Sequence, residues 1–225
     1  MDAADVKAIL FDIDGTLIIS GGAGTKAWKL AFDELYGIPA DIGQFADAGM
    51  TDPEVGRRTF EAVLHRKPER REFTRLLERR MHYLHGTIAE SPDYRVLPGV
   101  EQLLPALTEH GYLLGLVTGN LEGAAHMKLQ RARLNRFFSF GGYGSDSADR
   151  VELTRIALRR GAVVHGEPLE PREAIVVGDT PHDVEAAHGA DVRCVGVGTG
   201  HFTADELRAA GADWAIATLE DGLPL

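Results

Sequence analysis

The chain has 225 residues, of which 44% are hydrophobic and 26% are charged, an ordinary composition for a folded globular protein. Its formal net charge of −10 argues against a nucleic-acid backbone or an anionic membrane as the main partner. No apolar run is long enough for a transmembrane helix, and the acidic start at residues 1–5 lacks the basic residues of a signal peptide. Cys194 is the single cysteine, so no intramolecular disulfide is possible and we expect a reducing, cytoplasmic location.

The first part of the chain predicts one strand followed by helices. Residues 6–11 form a short apolar run that is typical of a buried strand. Helical spacing of apolar residues then recurs over residues 25–37, 51–64 and 69–85. The second of these begins with a hydroxyl residue, an early proline and a glutamate that could close a capping box. We therefore expect residues 18–93 to be helical, without a strand.

In the rest of the chain, strand and helix patterns alternate. Strands are predicted at 112–117, 137–143, 174–177, 192–197 and 214–216, and helices at 100–111, 121–134, 147–160, 183–188 and 204–210. This alternation predicts the α/β class, with a Rossmann-like parallel sheet covered by helices on both faces. We expect a core domain of residues 1–17 and 94–225 and a small helical cap domain of residues 18–93, inserted after the first strand.

Polar side chains follow three of the predicted strands. Asp12 and Asp14 follow the first strand, Thr118 follows the strand at 112–117, and Asp179 follows the strand at 174–177. Open parallel sheets bind ligands at the carboxyl ends of their strands, so we expect these residues to meet at one edge. Each alone is an ordinary cap or turn signal, but the three in succession indicate a site.

The residue types at this edge suit phosphoryl chemistry. Of two crowded carboxylates such as Asp12 and Asp14, one can be a nucleophile and the other a proton donor, because like charges raise one pKa. With Asp179 they form an oxygen-only site that prefers a hard cation such as Mg²⁺. The cation would offset the repulsion between carboxylate and phosphate, and Thr118 and nearby backbone amides can donate to phosphate oxygens.

The three motifs resemble those of the haloacid dehalogenase superfamily, in its phosphoglycolate-phosphatase-like branch with a helical cap. They are Asp12-Ile13-Asp14-Gly15-Thr16, Val117-Thr118-Gly119-Asn120 and Gly178-Asp179-Thr180-Pro181-His182-Asp183. The resemblance covers nearly the whole chain. It implies a phosphoric monoester hydrolase, a phosphatase that acts on a small phosphorylated metabolite through an aspartyl-phosphate intermediate.

The resemblance also implies roles for the acidic residues. Asp12 would be the nucleophile and Asp14 the general acid and base. Mg²⁺ would be held by the Asp12 side chain, the Asp14 carbonyl and Asp179, with Asp183 supporting the site from behind. Members that displace halide lack the second aspartate and members that cleave phosphonates replace it, so Asp14 favours phosphate ester hydrolysis or phosphoryl transfer.

Binding of the phosphoryl group and of the substrate is assigned to two segments. Thr118, with Gly119 and Asn120, would bind the phosphoryl group. Thr51 lies where the specificity loop of the cap is expected, so it is a candidate substrate contact, although a plain helix cap explains it equally well. His182 could face the site or simply be exposed.

The basic residue of the third motif departs from the commonest pattern, which places a lysine between the second and fourth motifs. Lys128 lies only ten residues after Thr118, which is too early. Arg150 opens a predicted helix at about the expected distance, and we assign it the role of neutralising Asp12 and the phosphate, although arginine is not equivalent to lysine. Three other arginines lie deeper in that helix and should face away: Arg155, Arg159 and Arg160.

Two other functions are open. Sugar phosphomutases keep the second aspartate, and Trp28-Lys29 is similar to their cap helix, but the histidine expected shortly before it is missing from residues 21–25. A catalytically silent regulator on the same fold is disfavoured by the intact acidic motifs. The expected partner is a small phosphate ester, with no nucleic acid or membrane, and the chain could be a monomer or a homodimer.

Overall fold

The computed structural model describes residues 6–45, 47 and 49–225. The acidic segment at residues 1–5, on which the signal-peptide argument depends, lies outside them. No helix in the described ranges is both long enough and apolar enough to cross a membrane.

A six-stranded parallel sheet forms the centre of the molecule. Its strands in chain order are β1 (Ala8–Phe11), β4 (Leu113–Thr118), β5 (Phe140–Tyr143), β6 (Ala174–Gly178), β7 (Arg193–Val197) and β8 (Trp214–Ile216). The spatial order is β5-β4-β1-β6-β7-β8, so β1 is central, with Phe11 opposite both Leu116 and Val177. This confirms the predicted parallel α/β sheet and places the ends of β1, β4 and β6 side by side.

The apolar core lies on both faces of the sheet. Successive residues of a strand point to opposite faces, so Ile9 and Phe11 belong to one buried cluster and Ala8 and Leu10 to the other. All four are fully buried. Cys194 of β7 is buried as well, and burial raises the pKa of its thiol, as expected for a passive core residue.

Eight helices are found among the described residues. They are α1 (Ala23–Tyr36), α2 (Asp52–Leu64), α3 (Arg70–Glu90), α4 (Val100–Glu109), α5 (Glu122–Arg131), α6 (Arg150–His165), α7 (Pro181–Gly189) and α8 (Ala204–Ala209). The first three pack around an apolar cluster of their own that includes Trp28, Phe32, Phe60 and Leu76.

The expectation that residues 18–93 contain no strand was wrong. Two short strands, β2 (Ile18–Ile19) and β3 (Arg95–Val96), pair in antiparallel orientation. Next to this pair, Leu97 N donates to Leu17 O at 3.0 Å. Two residues are too few to show a period in the sequence. The pairing comes from tertiary structure, because it joins the segments on either side of α1–α3.

Several helix and strand ends differ from the predictions. Strand β5 starts at Phe140 instead of 137, because residues 134–137 form a turn of 3₁₀-helix. Helix α6 starts only at Arg150, where the Asp149 carboxylate caps it by accepting from Val151 N at 2.9 Å. Thr51 is the N-cap residue of α2, as expected, but its hydroxyl makes no capping hydrogen bond to the helix.

Candidate active site

The first acidic motif follows β1 and turns sharply at Gly15. Asp12 is buried, and its backbone N–H donates to Val177 O at 2.9 Å, which continues the pairing of β1 with β6. Gly15 has a φ of +87° and donates to Ile18 O at 2.9 Å. A side chain there would collide with the Asp179 carboxylate. Glycine is therefore required by both backbone conformation and space.

Three buried carboxylates form a cluster at the ends of β1 and β6. Oxygen atoms of Asp12, Asp179 and Asp183 lie within 4.8 Å of one another. Thr16 Oγ1 donates to Asp179 Oδ1 at 3.1 Å, and Asp183 Oδ2 accepts from the Thr180 hydroxyl at 2.7 Å. The three carboxylates are therefore crowded into one small volume at this edge of the sheet.

The electrostatics of this cluster favour a cation. Burial and then the Asp183 charge raise the pKa of Asp12 to about 7, although the Arg150 charge opposes the shift. Burial and then the Asp12 charge raise the pKa of Asp179 to about 8. Both shifts have the direction expected for carboxylates crowded away from water.

The charge balance and the donor atoms fit a divalent metal ion. When all are ionised, the four carboxylates of this group exceed its two cations by two negative charges: Asp12, Asp14, Asp179, Asp183, Lys128 and Arg150. A buried excess of this kind is costly unless it is balanced. The clustered donors are all oxygens, the set that Mg²⁺ or Ca²⁺ prefers. Asp183 belongs to the cluster as well, and its two oxygens accept from Arg150 and Thr180, so its supporting role stays a prediction.

Arg150 reaches the cluster from the start of α6. Its guanidinium donates to Asp183 Oδ1 and, at 2.9 Å, to Gly49 O. Its Nε is buried without a hydrogen-bond partner among the described residues. The structure therefore brings Arg150 to the site, but its direct partner is Asp183 and not Asp12.

The three competing arginines of α6 lie away from the cluster, as expected. Arg155 donates to Gly189 O at 2.7 Å, Arg159 pairs with Glu152 at 2.7 Å, and Arg160 pairs with Asp146 at 2.7 Å.

Lys128 contacts the site, contrary to the expectation from its spacing. Its Nζ lies 2.5 Å from Asp14 Oδ2 and 2.6 Å from Asn120 Oδ1. Burial would raise the pKa of Asp14, but the Lys128 charge and hydrogen bonds from Lys128 and Asn120 outweigh it, so the pKa is lowered. A signal was available in the sequence, since Lys128 follows Ala124 by one helical turn and shares its buried face.

Thr118 and Asn120 line the site at the end of β4. The fully buried Thr118 hydroxyl accepts from Asn120 Nδ2 at 2.8 Å, and Asn120 Nδ2 also donates to Asp14 Oδ2 at 2.8 Å. The Thr118 oxygen is thus engaged as an acceptor, which leaves its O–H to donate to a ligand.

A fourth loop at this edge of the sheet, which follows β7, was not predicted as part of the site. Thr199 Oγ1 donates to Gly15 O at 2.6 Å, and a side chain at Gly200 would collide with Asp179. The signal was present, because this loop follows a predicted strand of the same sheet.

The segment that contains α1–α3, called the helical segment below, covers the site on the side away from the sheet. Asp52 N donates to Gly119 O at 2.7 Å, and the Asp52 carboxylate accepts from Leu121 N and from Arg80, each at 2.8 Å. Arg80 is buried and lies over the Trp28 ring at 5.4 Å. These contacts fix the start of α2 against the loop that carries Asn120.

A cavity of about 540 Å³ lies between the helical segment and the sheet. It is lined by Asp12, Asp14, Thr118, Gly119, Asn120, Lys128, Arg150 and Asp179, and from above by Gly49, Met50 and Asp52. Thr51 and His182 do not line it: both border a neighbouring cavity, and His182 is exposed, 3.2 Å from Glu185. The Thr51 hydroxyl is buried without a partner among the described residues.

Comparison with known proteins identifies the family. The family model for haloacid dehalogenase-like hydrolases matches residues 9–197. A phosphoglycolate phosphatase of Aquifex aeolicus is 30% identical over 193 residues, which cover 84% of this chain and 83% of that protein. The chain therefore belongs to the haloacid dehalogenase-like hydrolases.

Solved structures show the same fold. A protein of Haemophilus somnus described as a predicted phosphoglycolate phosphatase has a TM-score of 0.75 at 21% identity, covering 98% of this chain and 97% of that one. A candidate beta-phosphoglucomutase of Bacteroides vulgatus has a TM-score of 0.69 at 22% identity, covering 96% and 86%. Within the family the chain is phosphoglycolate-phosphatase-like, and the predicted family, fold and enzyme class, a phosphoric monoester hydrolase, are confirmed.

Proposed function

We propose that the protein is a Mg²⁺-dependent phosphatase that hydrolyses a small phosphorylated metabolite, phosphoglycolate-like or a sugar phosphate, through an aspartyl-phosphate on Asp12. The observation that carries this proposal is the buried cluster of Asp12, Asp179 and Asp183, with its oxygens within 4.8 Å of one another. The phosphoglycolate phosphatase of Aquifex aeolicus, 30% identical over 193 residues, supports the substrate class.

The position of Asp12 supports its role as the nucleophile. It follows the central strand, is buried, and borders the cavity together with Thr118. Its carboxylate would attack phosphorus and form the Asp12–phosphate bond while the ester oxygen leaves. The Thr118 hydroxyl, with the backbone around Gly119, would donate to the non-bridging oxygens. Asp12, Asp179 and the Asp14 carbonyl would hold Mg²⁺, which supplies positive charge against the carboxylate–phosphate repulsion.

The surroundings of Asp14 support a role in proton transfer in both steps. Because the pKa of Asp14 is lowered, its carboxylate is ionised and can take a proton from the water that hydrolyses the aspartyl-phosphate. In the first step the charge of a bound phosphate dianion raises the pKa of a neighbouring carboxyl, and this favours Asp14 as the proton donor to the leaving oxygen. Arg150, paired with Asp183, supplies positive charge beside the nucleophile.

We also propose that residues 18–93 act as a cap domain over a core of residues 1–17 and 94–225. Support comes from the separate apolar cluster of α1–α3 and from their contribution of Met50 and Asp52 to the cavity wall. The selectivity for the substrate would then depend on this segment.

The test is a phosphate-release screen over phosphoglycolate, sugar phosphates, nucleotides and pyrophosphate, with and without Mg²⁺. We expect release that depends on Mg²⁺, stops with a chelator and is abolished by Asp12→Asn. Full activity of Asp12→Asn on 4-nitrophenyl phosphate would exclude the covalent mechanism.

A sugar phosphomutase is the second candidate, because the fold is shared with the candidate beta-phosphoglucomutase of Bacteroides vulgatus. Residues 21–25 offer no histidine for the proton transfers of a mutase. The same screen separates the two functions, since a mutase interconverts two sugar phosphate isomers without net release of phosphate.

A further inference from the structure

Lys128 has an unusual position for a lysine. All five lysines of the chain lie in the described ranges, and Lys128 is the only one that is buried. Its side chain is 7% exposed and its Nζ is directed at Asp14 and Asn120. Placing an ammonium group away from water is costly unless it is paired, and a buried ion pair generally stabilises no better than apolar residues of similar size. Stability alone is therefore a weak reason for this lysine.

The contacts of Lys128 fix the orientation of two other side chains in the site. An ammonium group can only donate, so it fixes the Asn120 amide with its oxygen toward Lys128, at 2.6 Å, and its nitrogen toward the cavity side. That nitrogen donates to Asp14 Oδ2 and to Thr118 Oγ1, each at 2.8 Å. One ammonium group thereby fixes the proton-handling carboxylate directly and the phosphate-binding hydroxyl through an amide.

We propose that Lys128 is a positioning residue for the reaction: it holds the Asp14 carboxylate and the Asn120 amide in the geometry that proton transfer to the leaving oxygen requires. This inference rests on the proposed phosphatase function. It assigns to Lys128 a role distinct from that of Arg150, since Lys128 pairs with Asp14 and Arg150 pairs with Asp183.

The experiment uses the full chain with Mg²⁺ and two aryl phosphates whose leaving groups differ in their need for protonation. 4-Nitrophenolate leaves without one, whereas phenolate is a poor leaving group and needs an acid. We compare kcat/KM, which reports the step that forms the aspartyl-phosphate, for the wild type, Lys128→Met and Lys128→Arg. Lys128→Met should lower kcat/KM for phenyl phosphate about 100-fold and for 4-nitrophenyl phosphate about tenfold or less, within the range of acid–base contributions. Lys128→Arg should recover part of the loss.

The ratio of the two kcat/KM values is taken within one preparation, so a partly unfolded variant cannot change it. The matched control is Lys29→Met, which removes an exposed lysine of α1 and should leave the ratio as in the wild type. Asp14→Asn combined with Lys128→Met should lose no more activity than Asp14→Asn alone, because residues that act as a unit are not additive.

Two results would overturn the inference. One is an equal loss on both aryl phosphates in Lys128→Met, and the other is an additive loss in the double variant. A wild type that releases phosphate from neither aryl phosphate, nor from any compound in the screen, would overturn the proposed function and this inference with it.

Discussion

At the scale of single residues, the paired carboxylates make metal binding depend on pH. The pKa of Asp12 is raised to about 7 and that of Asp179 to about 8 without a metal, so both bind protons near neutrality. A cation needs the ionised forms, and its binding must release those protons. The affinity for Mg²⁺ should therefore rise with pH up to about 8 and level off above it, falling about tenfold per pH unit below for each proton displaced.

Calorimetric titration of Mg²⁺ into the protein at several pH values measures this dependence. The same titration in two buffers of different ionisation enthalpy counts the protons released. An affinity that stays constant from about pH 6 to about pH 9 would contradict the prediction.

Most of the site at the strand ends was predictable from the sequence, whereas the contact of Lys128 with Asp14 was not. Asp12, Thr118 and Asp179 could be expected at one edge because parallel strands end there together. Lys128 reaches Asp14 across 114 positions of sequence, and its spacing from Thr118 does not show which way its side chain points. Their roles in catalysis stay predictions until the variants are measured.

At the scale of elements, the turn after β1 is constrained at Gly15 by both backbone conformation and space. Gly15→Ala combines the strain of a φ of +87° with a collision between the new methyl group and the Asp179 carboxylate. We expect a loss of at least about 1–2 kcal/mol in the free energy of unfolding from the backbone alone, together with a marked fall in Mg²⁺ affinity.

Gly22→Ala is the matched control for this turn. Gly22 has a φ of +76° and no atom within 4 Å of an added methyl group, so it carries the backbone strain alone. Urea unfolding and Mg²⁺ titration of both variants isolate the effect of the collision. Equal Mg²⁺ affinities in the two variants would show that Gly15 is needed only for the backbone.

The elements themselves were predictable where the pattern was long, and their ends were not. The sheet strands and all eight helices of the described residues have counterparts in the sequence pattern. The start of β5 and the pairing of β2 with β3 were not predicted, because a 3₁₀ turn and two-residue strands leave no period to detect. The absent capping hydrogen bond at Thr51 shows the same limit: its helix was predicted, but the direction of its hydroxyl depends on the neighbouring loop.

At the scale of the whole molecule, one buried ion pair helps to hold α1–α3 against the core, because the Asp52 carboxylate that pairs with Arg80 also accepts from Leu121 N. Asp52 and Arg80 lie 2.8 Å apart, with side-chain exposures of 12% and 1%. Asp52→Ala leaves the Arg80 charge buried without its partner and frees Leu121 N. We expect a loss of about 3–5 kcal/mol in the free energy of unfolding, with reduced activity because the adjacent Asn120 loses its anchor.

Urea unfolding and phosphate release measure both effects. Glu54→Ala is the control, because its pair with Arg58 on α2 is exposed and worth about 1 kcal/mol or less. Removing both partners, in Asp52→Ala with Arg80→Met, should recover much of the stability but not the activity. A stability loss in Asp52→Ala no larger than that in Glu54→Ala would contradict this account.

The short pairing of Ile18–Ile19 with Arg95–Val96 has a mechanical consequence. Two separate tethers would let the segment of α1–α3 twist and slide in several directions. Hydrogen-bonded side by side, the outgoing and returning chains form a single ribbon, which bends easily across its flat face and resists bending within its plane. Such a ribbon would confine any opening of the cavity to a swing about one axis, so that each closure would return Met50 and Asp52 to the same place above the carboxylates.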